Sequence, residues 1–146
     1  MKHIILAALL FFIINSTLSA QEWLTDITIA KEQAIQENKP IILVFQGSDW
    51  CAPCMKLDRE IWSTDVFKNY SKEHYVLLQA DFPRRKQNKL SQAQEEANNK
   101  LAEIYNKKGI FPFVVVLDSS GKILGETGYK KLSPEKYIES LNSFIH

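Results

Sequence analysis

The most constraining stretch of this chain is Ile41-Ile42-Leu43-Val44-Phe45, five consecutive apolar residues rich in β-branched and aromatic side chains. Such a run marks a strand buried on both faces, which demands layers of structure above and below it. Six positions after Phe45 comes the first of the chain's two cysteines, in Trp50-Cys51-Ala52-Pro53-Cys54. From Met55 the pattern turns helical, with Leu57, Asp58, Ile61 and Trp62 at the matching spacing. Cys51 therefore falls where a strand and loop hand over to a helix N-terminus. The unpaired N–H groups and dipole at such an end favour negative charge, and so stabilise thiolate over thiol. Thiolate is the form that attacks disulfides.

The chain has 146 residues, enough for one domain with a sizeable core and not comfortably for two. Its formal net charge is +1, so no bulk electrostatic argument points to nucleic acid or to a membrane surface.

Residues 1–20 read as a secretory signal peptide. Lys2 and His3 precede an apolar run from Ile4 to Ile14, and the small, polar stretch Asn15 to Ala20 follows. The run falls short of the ~20 residues that a membrane span takes. Cleavage is expected between Ala20 and Gln21, with Leu18 larger than the ideal before the cut; an uncleaved anchor is the alternative. Loss of Lys2 from 18 basic residues against 17 acidic leaves a formally neutral mature chain, 21–146. No cysteine follows the apolar run to accept a lipid.

In an exported protein two cysteines could form a plain structural disulfide. A pair spaced by two residues closes a very small loop and constrains the unfolded chain little, so a redox-active pair is the better reading. Zinc would need two further ligands, and His74 and His146 stand alone in the mature sequence, so no metal is expected.

Trp23 to Asn38 reads as a helix with Trp23, Ile27, Ala30, Ala34 and Ile35 on one face, capped by Thr25 or Asp26 and ended before Pro40. After the cysteines a helix runs to about Trp62, and Ser63-Thr64-Asp65 opens a shorter one carrying Val66, Phe67 and Tyr70. Tyr75 to Asp81 is a second strand, stopped by Phe82-Pro83. Arg84-Arg85-Lys86-Gln87-Asn88-Lys89 is a basic loop, either a solvated charge run or a surface that steers acidic partners. Ser91 to Gln94 has capping-box spacing and opens a long helix with Ala97, Leu101, Ile104 and Tyr105 inward and Gly109 as its C-cap. Phe113 to Leu117 and Ile123 to Thr127 form a hairpin about the Asp118 to Lys122 turn. Ser133-Pro134 starts a last helix with Ile138, Leu141, Phe144 and Ile145 inward. Strands separated by helices imply an early parallel pair, and the closing hairpin an antiparallel one. The fold class is α/β, a mixed central sheet with helices on both faces.

Three features in this order resemble the thioredoxin family: Trp50-Cys51-Ala52-Pro53-Cys54 after a buried strand, Phe111-Pro112 opening the third strand, and the Asp118 to Gly121 turn before a hairpin strand ending near Gly128. Gly47-Ser48-Asp49-Trp50-Cys51, Asp81-Phe82-Pro83 and Gly128-Tyr129 are similar to exported bacterial thioredoxin-like proteins, including the periplasmic domain of disulfide interchange proteins. The resemblance implies a thioredoxin-like fold with Cys51, the more exposed, as nucleophile and Cys54 as the resolving thiol. It also implies that Pro112 is a cis-proline facing the pair, that the Phe111 main chain receives an extended substrate strand, and that Trp50 forms part of the contact surface. An ordinary strand-opening role for Pro112 and plain packing for Trp50 stay open.

Ala52-Pro53 brings no histidine or charge between the cysteines, which places the pair toward the reducing side. One position departs from the family's pattern. Thioredoxins hold a buried carboxylate six residues before the first cysteine, where this chain has Phe45. Asp49 is expected to form a turn, Asp58 and Glu60 to face solvent, and proton transfer at Cys54 to use water or another acid.

The expected function is an exported, periplasmic or secreted thiol-disulfide oxidoreductase that reduces or exchanges protein disulfides. It needs no cofactor beyond its dithiol, and outside the cytoplasm it needs a membrane-bound electron donor. A disulfide isomerase would need dimerisation or a further domain, and a monomer is expected. The reading from another class is a binding or chaperone-like module with a static disulfide.

Overall fold

The computed structural model describes residues 21–146, so the signal-peptide reading lies outside the described residues. The elements are β1 (Trp23–Leu24), α1 (Ile27–Glu37), β2 (Ile41–Gln46), α2 (Ala52–Leu57) running on as a π-helix (Asp58–Trp62), α3 (Asp65–His74), β3 (Val76–Asp81), a 3₁₀ turn (Lys86–Asn88), α4 (Gln92–Tyr105), β4 (Phe113–Leu117), β5 (Ile123–Thr127) and α5 (Pro134–Asn142). They build one mixed sheet in the order β1-β3-β2-β4-β5. β2 pairs parallel with β3 and antiparallel with β4, and β5 closes the hairpin antiparallel to β4.

β2 is the centre of the sheet because each of its faces buries a separate core. Ile42 and Val44 point to Leu57, Ile61 and Trp62, Phe67 of α3, and Tyr137 and Leu141 of α5. Ile41, Leu43 and Phe45 point the other way, to Ala30 and Ala34 of α1 and Leu101 of α4. All five apolar residues are at most 1% exposed, and burial of each side chain contributes about 1.5–3 kcal/mol. The expected α/β thioredoxin-like architecture is the one observed.

Several local expectations need correction. Trp23 lies in β1, paired with Leu77 of β3, and not in a helix. α1 starts at Ile27 because the Asp26 carboxylate accepts the Thr28 and Ile29 N–H groups. Ile35 at 66% and Ile104 at 60% are exposed, as is Ala97, since the sheet meets only a narrow stripe of each helix. Leu101 and Tyr105 face the core as expected, and Asn98 joins them, its Nδ2 donating to the Asp81 carbonyl. Asn106 ends α4 by bridging Ile110 through both of its amide atoms, and Gly109 (φ 62°) falls in the turn beyond. Past Leu57 the helix widens: Ser63 N–H reaches back five residues to the Asp58 carbonyl.

Tyr137, fully buried in α5, was not part of the expected stripe; its hydroxyl donates to the Gly128 carbonyl, and burial pushes its pKa upward. Near the other end of the hairpin Gly125 lets the Phe144 ring close over β5, where an added Cβ would fall 2.1 Å from it. Gly125→Ala is expected to cost about 1–3 kcal/mol by overpacking, read as a lower thermal midpoint; an unchanged midpoint would show that the C-terminal turn shifts freely.

Candidate active site

β2 ends at Gln46, and the loop from Gly47 carries the chain into α2. Cys51 N–H donates to the Gly47 carbonyl at 2.9 Å, and an added Cβ on Gly47 would strike the Trp50 indole at 2.2 Å. Only glycine lets that ring fold back over the loop. Ser48 anchors the turn to β3, its N–H and hydroxyl reaching the Asp81 carboxylate at 2.9 and 2.6 Å.

Cys51 is the N-cap of α2, and its Sγ accepts the Cys54 N–H at 3.3 Å. Pro53 occupies the first helical turn, where a missing N–H costs nothing. Cys51 and Cys54 are joined in a disulfide, with Cα atoms 5.2 Å apart. The expectation that Cys51 is the more exposed does not hold in this oxidised state: both residues are 4% exposed. What separates them is electrostatic, since Cys51 Sγ takes the N-cap hydrogen bond.

Trp50, Phe111 and Pro112 come together at the same end of the sheet. The Trp50 and Phe111 rings meet edge-on with centroids 5.5 Å apart. The Phe111-Pro112 peptide is cis, Pro112 is buried, and Phe111 stands outside the β4 ladder, which begins at the Phe113–Phe45 pair. Phe82, expected only to help end the second strand, adds a third ring at 5.4 Å from Phe111, and its carbonyl accepts the Trp50 indole N–H at 2.7 Å.

Asp49 is not a simple turn former. Its carboxylate reaches across the site to accept the Arg84 and Arg85 N–H groups at 2.9 and 3.0 Å and Asn88 Nδ2 at 2.9 Å. No local sequence signal marks a clamp whose partners lie 35 residues or more away. The Arg84 hydrogen bond, followed by those from Asn88 and Arg85, holds the Asp49 carboxyl below the usual aspartate range. A carboxyl depressed on folding contributes fully above its unfolded pKa, and the contribution is lost as pH falls through the lower folded value. The amide resonances of Arg84 and Arg85 should therefore titrate with a midpoint below that of an ordinary aspartate, and Asp49→Asn should abolish that step. A midpoint at the ordinary value would mean that the clamp is open in solution.

Phe45 faces the α1 and α4 core, away from Cys54. On the cysteine side of β2 the next residue is Gln46, whose amide donates to Gln79 Oε1 at 3.2 Å. These two glutamines, Cys54, Asp58 and Arg59 border a hollow of about 420 Å³. Asp58 is exposed, as expected, yet it lies one helical turn beyond Cys54 on the rim of that hollow. Glu60 is half-buried and accepts the Tyr129 hydroxyl at 2.6 Å, so it does not simply face solvent.

A mixed sheet carrying a cysteine pair at the start of a helix, with the Trp50 before it packed on the Phe111 of a cis-proline peptide, defines a thioredoxin-fold redox protein. The thioredoxin-like family profile matches residues 22–119, and the chain belongs to that family. It is similar to the disulfide bond reductase DsbH of Chlamydia pneumoniae, 33% identical over 116 residues that make up 80% of this chain and 68% of that one. The solved DsbH oxidoreductase structure superposes with a TM-score of 0.79 at 31% identity, over 87% of this chain and 85% of that one. A thioredoxin from Thermus thermophilus shares the fold alone, with a TM-score of 0.64 at 12% identity, over 87% of this chain and 88% of that one. The chain is a thiol-disulfide oxidoreductase. No helix among the described residues is long and apolar enough to cross a membrane.

Proposed function

We propose that this protein is an exported reductase of protein disulfides, with Cys51 as nucleophile and Cys54 as resolving thiol. The observation that carries the reading is the Cys51 Sγ at the N-cap, where the Cys54 N–H favours its thiolate. The Cys51 thiolate attacks one sulfur of a substrate disulfide, forming a mixed disulfide and expelling the other sulfur as a thiolate. Cys54 then loses its proton and attacks Cys51 Sγ, forming the 51–54 bridge and releasing the second substrate thiolate. The substrate gains two electrons and two protons, and the dithiol becomes the disulfide seen here. The hollow beside Cys54 supports proton loss to water, with Asp58 as the carboxylate on its rim. Trp50, Phe111 and Pro112 form the substrate contact, with the Phe111 peptide left outside the ladder for an extended strand. The signal-peptide pattern of residues 1–20 supports export, and an exported dithiol needs an external donor, for which a membrane-bound dithiol relay is the chemical class.

Reduction of insulin by excess small dithiol should accelerate in proportion to added protein. In the reduced protein Cys51 should alkylate faster than Cys54 at neutral pH. A 51–54 bridge that stays closed against every physiological thiol would leave a static scaffold and end the reductase reading. Equal alkylation rates would remove the assigned division of roles.

A further inference from the structure

The basic loop after β3 is fastened to the redox site. Arg84 lays its guanidinium over the Trp50 ring, with Cζ 3.7 Å from the centroid, and Trp50 is the residue before Cys51. The Asp49 clamp holds the main chain at Arg84 and Arg85 and the side chain of Asn88. The Trp50 indole N–H ties down the carbonyl of Phe82, two residues before the loop opens. Arg84, Arg85, Lys86 and Lys89 are all exposed. By formal charge the adjacent Asp49 and Asp81 offset two of these four cations, and the loop keeps an excess of positive charge.

We infer that this loop is a docking surface for an acidic segment flanking the target disulfide of the substrate protein. The inference rests on the proposed exchange at Cys51 and names its substrate class. A free basic loop would lose much of its gain to ordering on binding; one already clamped loses less. The mature chain is formally neutral, so this local array sets the steering near the site, and steering by charge shows mainly in encounter and partner choice.

The test uses the mature protein and three peptide disulfides that differ only in four flanking residues: all Glu, all Gln or all Lys. At about 10 mM salt, where screening extends over about 30 Å, kcat/KM for the Glu peptide should exceed that for the Lys peptide by about tenfold or more. At about 1 M salt the screening length falls to about 3 Å and the two should converge within about threefold. The triple variant Arg85→Glu, Lys86→Glu, Lys89→Glu, which leaves the Arg84–Trp50 stack in place, should reverse the low-salt order. The matching Gln variant should flatten it, which separates charge from any loss of fold. Equal low-salt rates for the Glu and Lys peptides, with the Gln peptide still reduced, overturn the docking surface and leave the reductase reading standing. Failure to reduce the Gln peptide overturns the reductase reading and the inference with it. Loop-dependent binding to phosphatidylglycerol vesicles with no peptide preference would assign the loop to a membrane surface and overturn the proposal.

Discussion

Cys51→Ser is expected to remove catalysed insulin reduction altogether, a loss on the order of a thousandfold or more in kcat/KM. A serine hydroxyl at the N-cap still accepts the Cys54 N–H, so the helix start keeps its cap while the nucleophile is gone. The stability cost should be small. The bridge closes only a four-residue loop, for which the entropic gain is at most about 2 kcal/mol. A domain of this size has about 5–15 kcal/mol in hand, so the variant should remain folded by circular dichroism. Cys54→Ser should behave differently: it keeps the first attack and loses the second, so mixed disulfides with substrate should accumulate on a non-reducing gel. Full turnover by Cys51→Ser would sink the mechanism. Accumulation of mixed disulfides in Cys51→Ser and not in Cys54→Ser would reverse the roles.

Phe45→Asp, which puts the family's carboxylate at its sequence position, should not improve proton transfer and should largely unfold the protein. The Phe45 side chain is fully buried between α1, α4 and the Phe113 ring, on the face of β2 opposite Cys54. Truncation of a buried Phe alone costs about 3–5 kcal/mol, and an unpaired carboxylate in that core adds several more. Burial would raise the new carboxyl's pKa, so the sign of the pH dependence follows: the penalty is greatest above the folded pKa and shrinks as pH falls toward the unfolded value. Thermal midpoints measured against the wild type from neutral pH into acid check this. Gln46→Asp is the control, because Gln46 borders the hollow at Cys54 and loses one amide hydrogen bond, worth about 1 kcal/mol. A stable Phe45→Asp with faster turnover would show that β2 presents its other face to the redox helix.

These two substitutions mark how far the site could be read from the chain. The motif from Trp50 to Cys54 and the strand before it were legible because their signals are local. A run of β-branched residues, a proline in the first helical turn and two cysteines at that spacing have few structural solutions. Phe111-Pro112 was legible only through the family resemblance, and the cis peptide is present. The face on which position 45 lies, the ring of Phe82, and the Asp49 clamp were not legible. Each depends on a partner about 30 or more residues away in the chain, on an element whose approach no local pattern encodes.

From Ile27 onward the succession of strands and helices, the caps at Thr64, Ser91 and Ser133 and the location of the cysteine pair were determined by neighbouring residues alone, because hydrogen bonds and dihedral preferences act over a few positions. Packing decided the rest. Only the assembled sheet left Ile35 and Ile104 in solvent, turned Phe45 away from the sulfur chemistry, and brought Arg84 onto Trp50. Those outcomes follow from which surfaces meet, and the meeting of surfaces is a property of the whole fold.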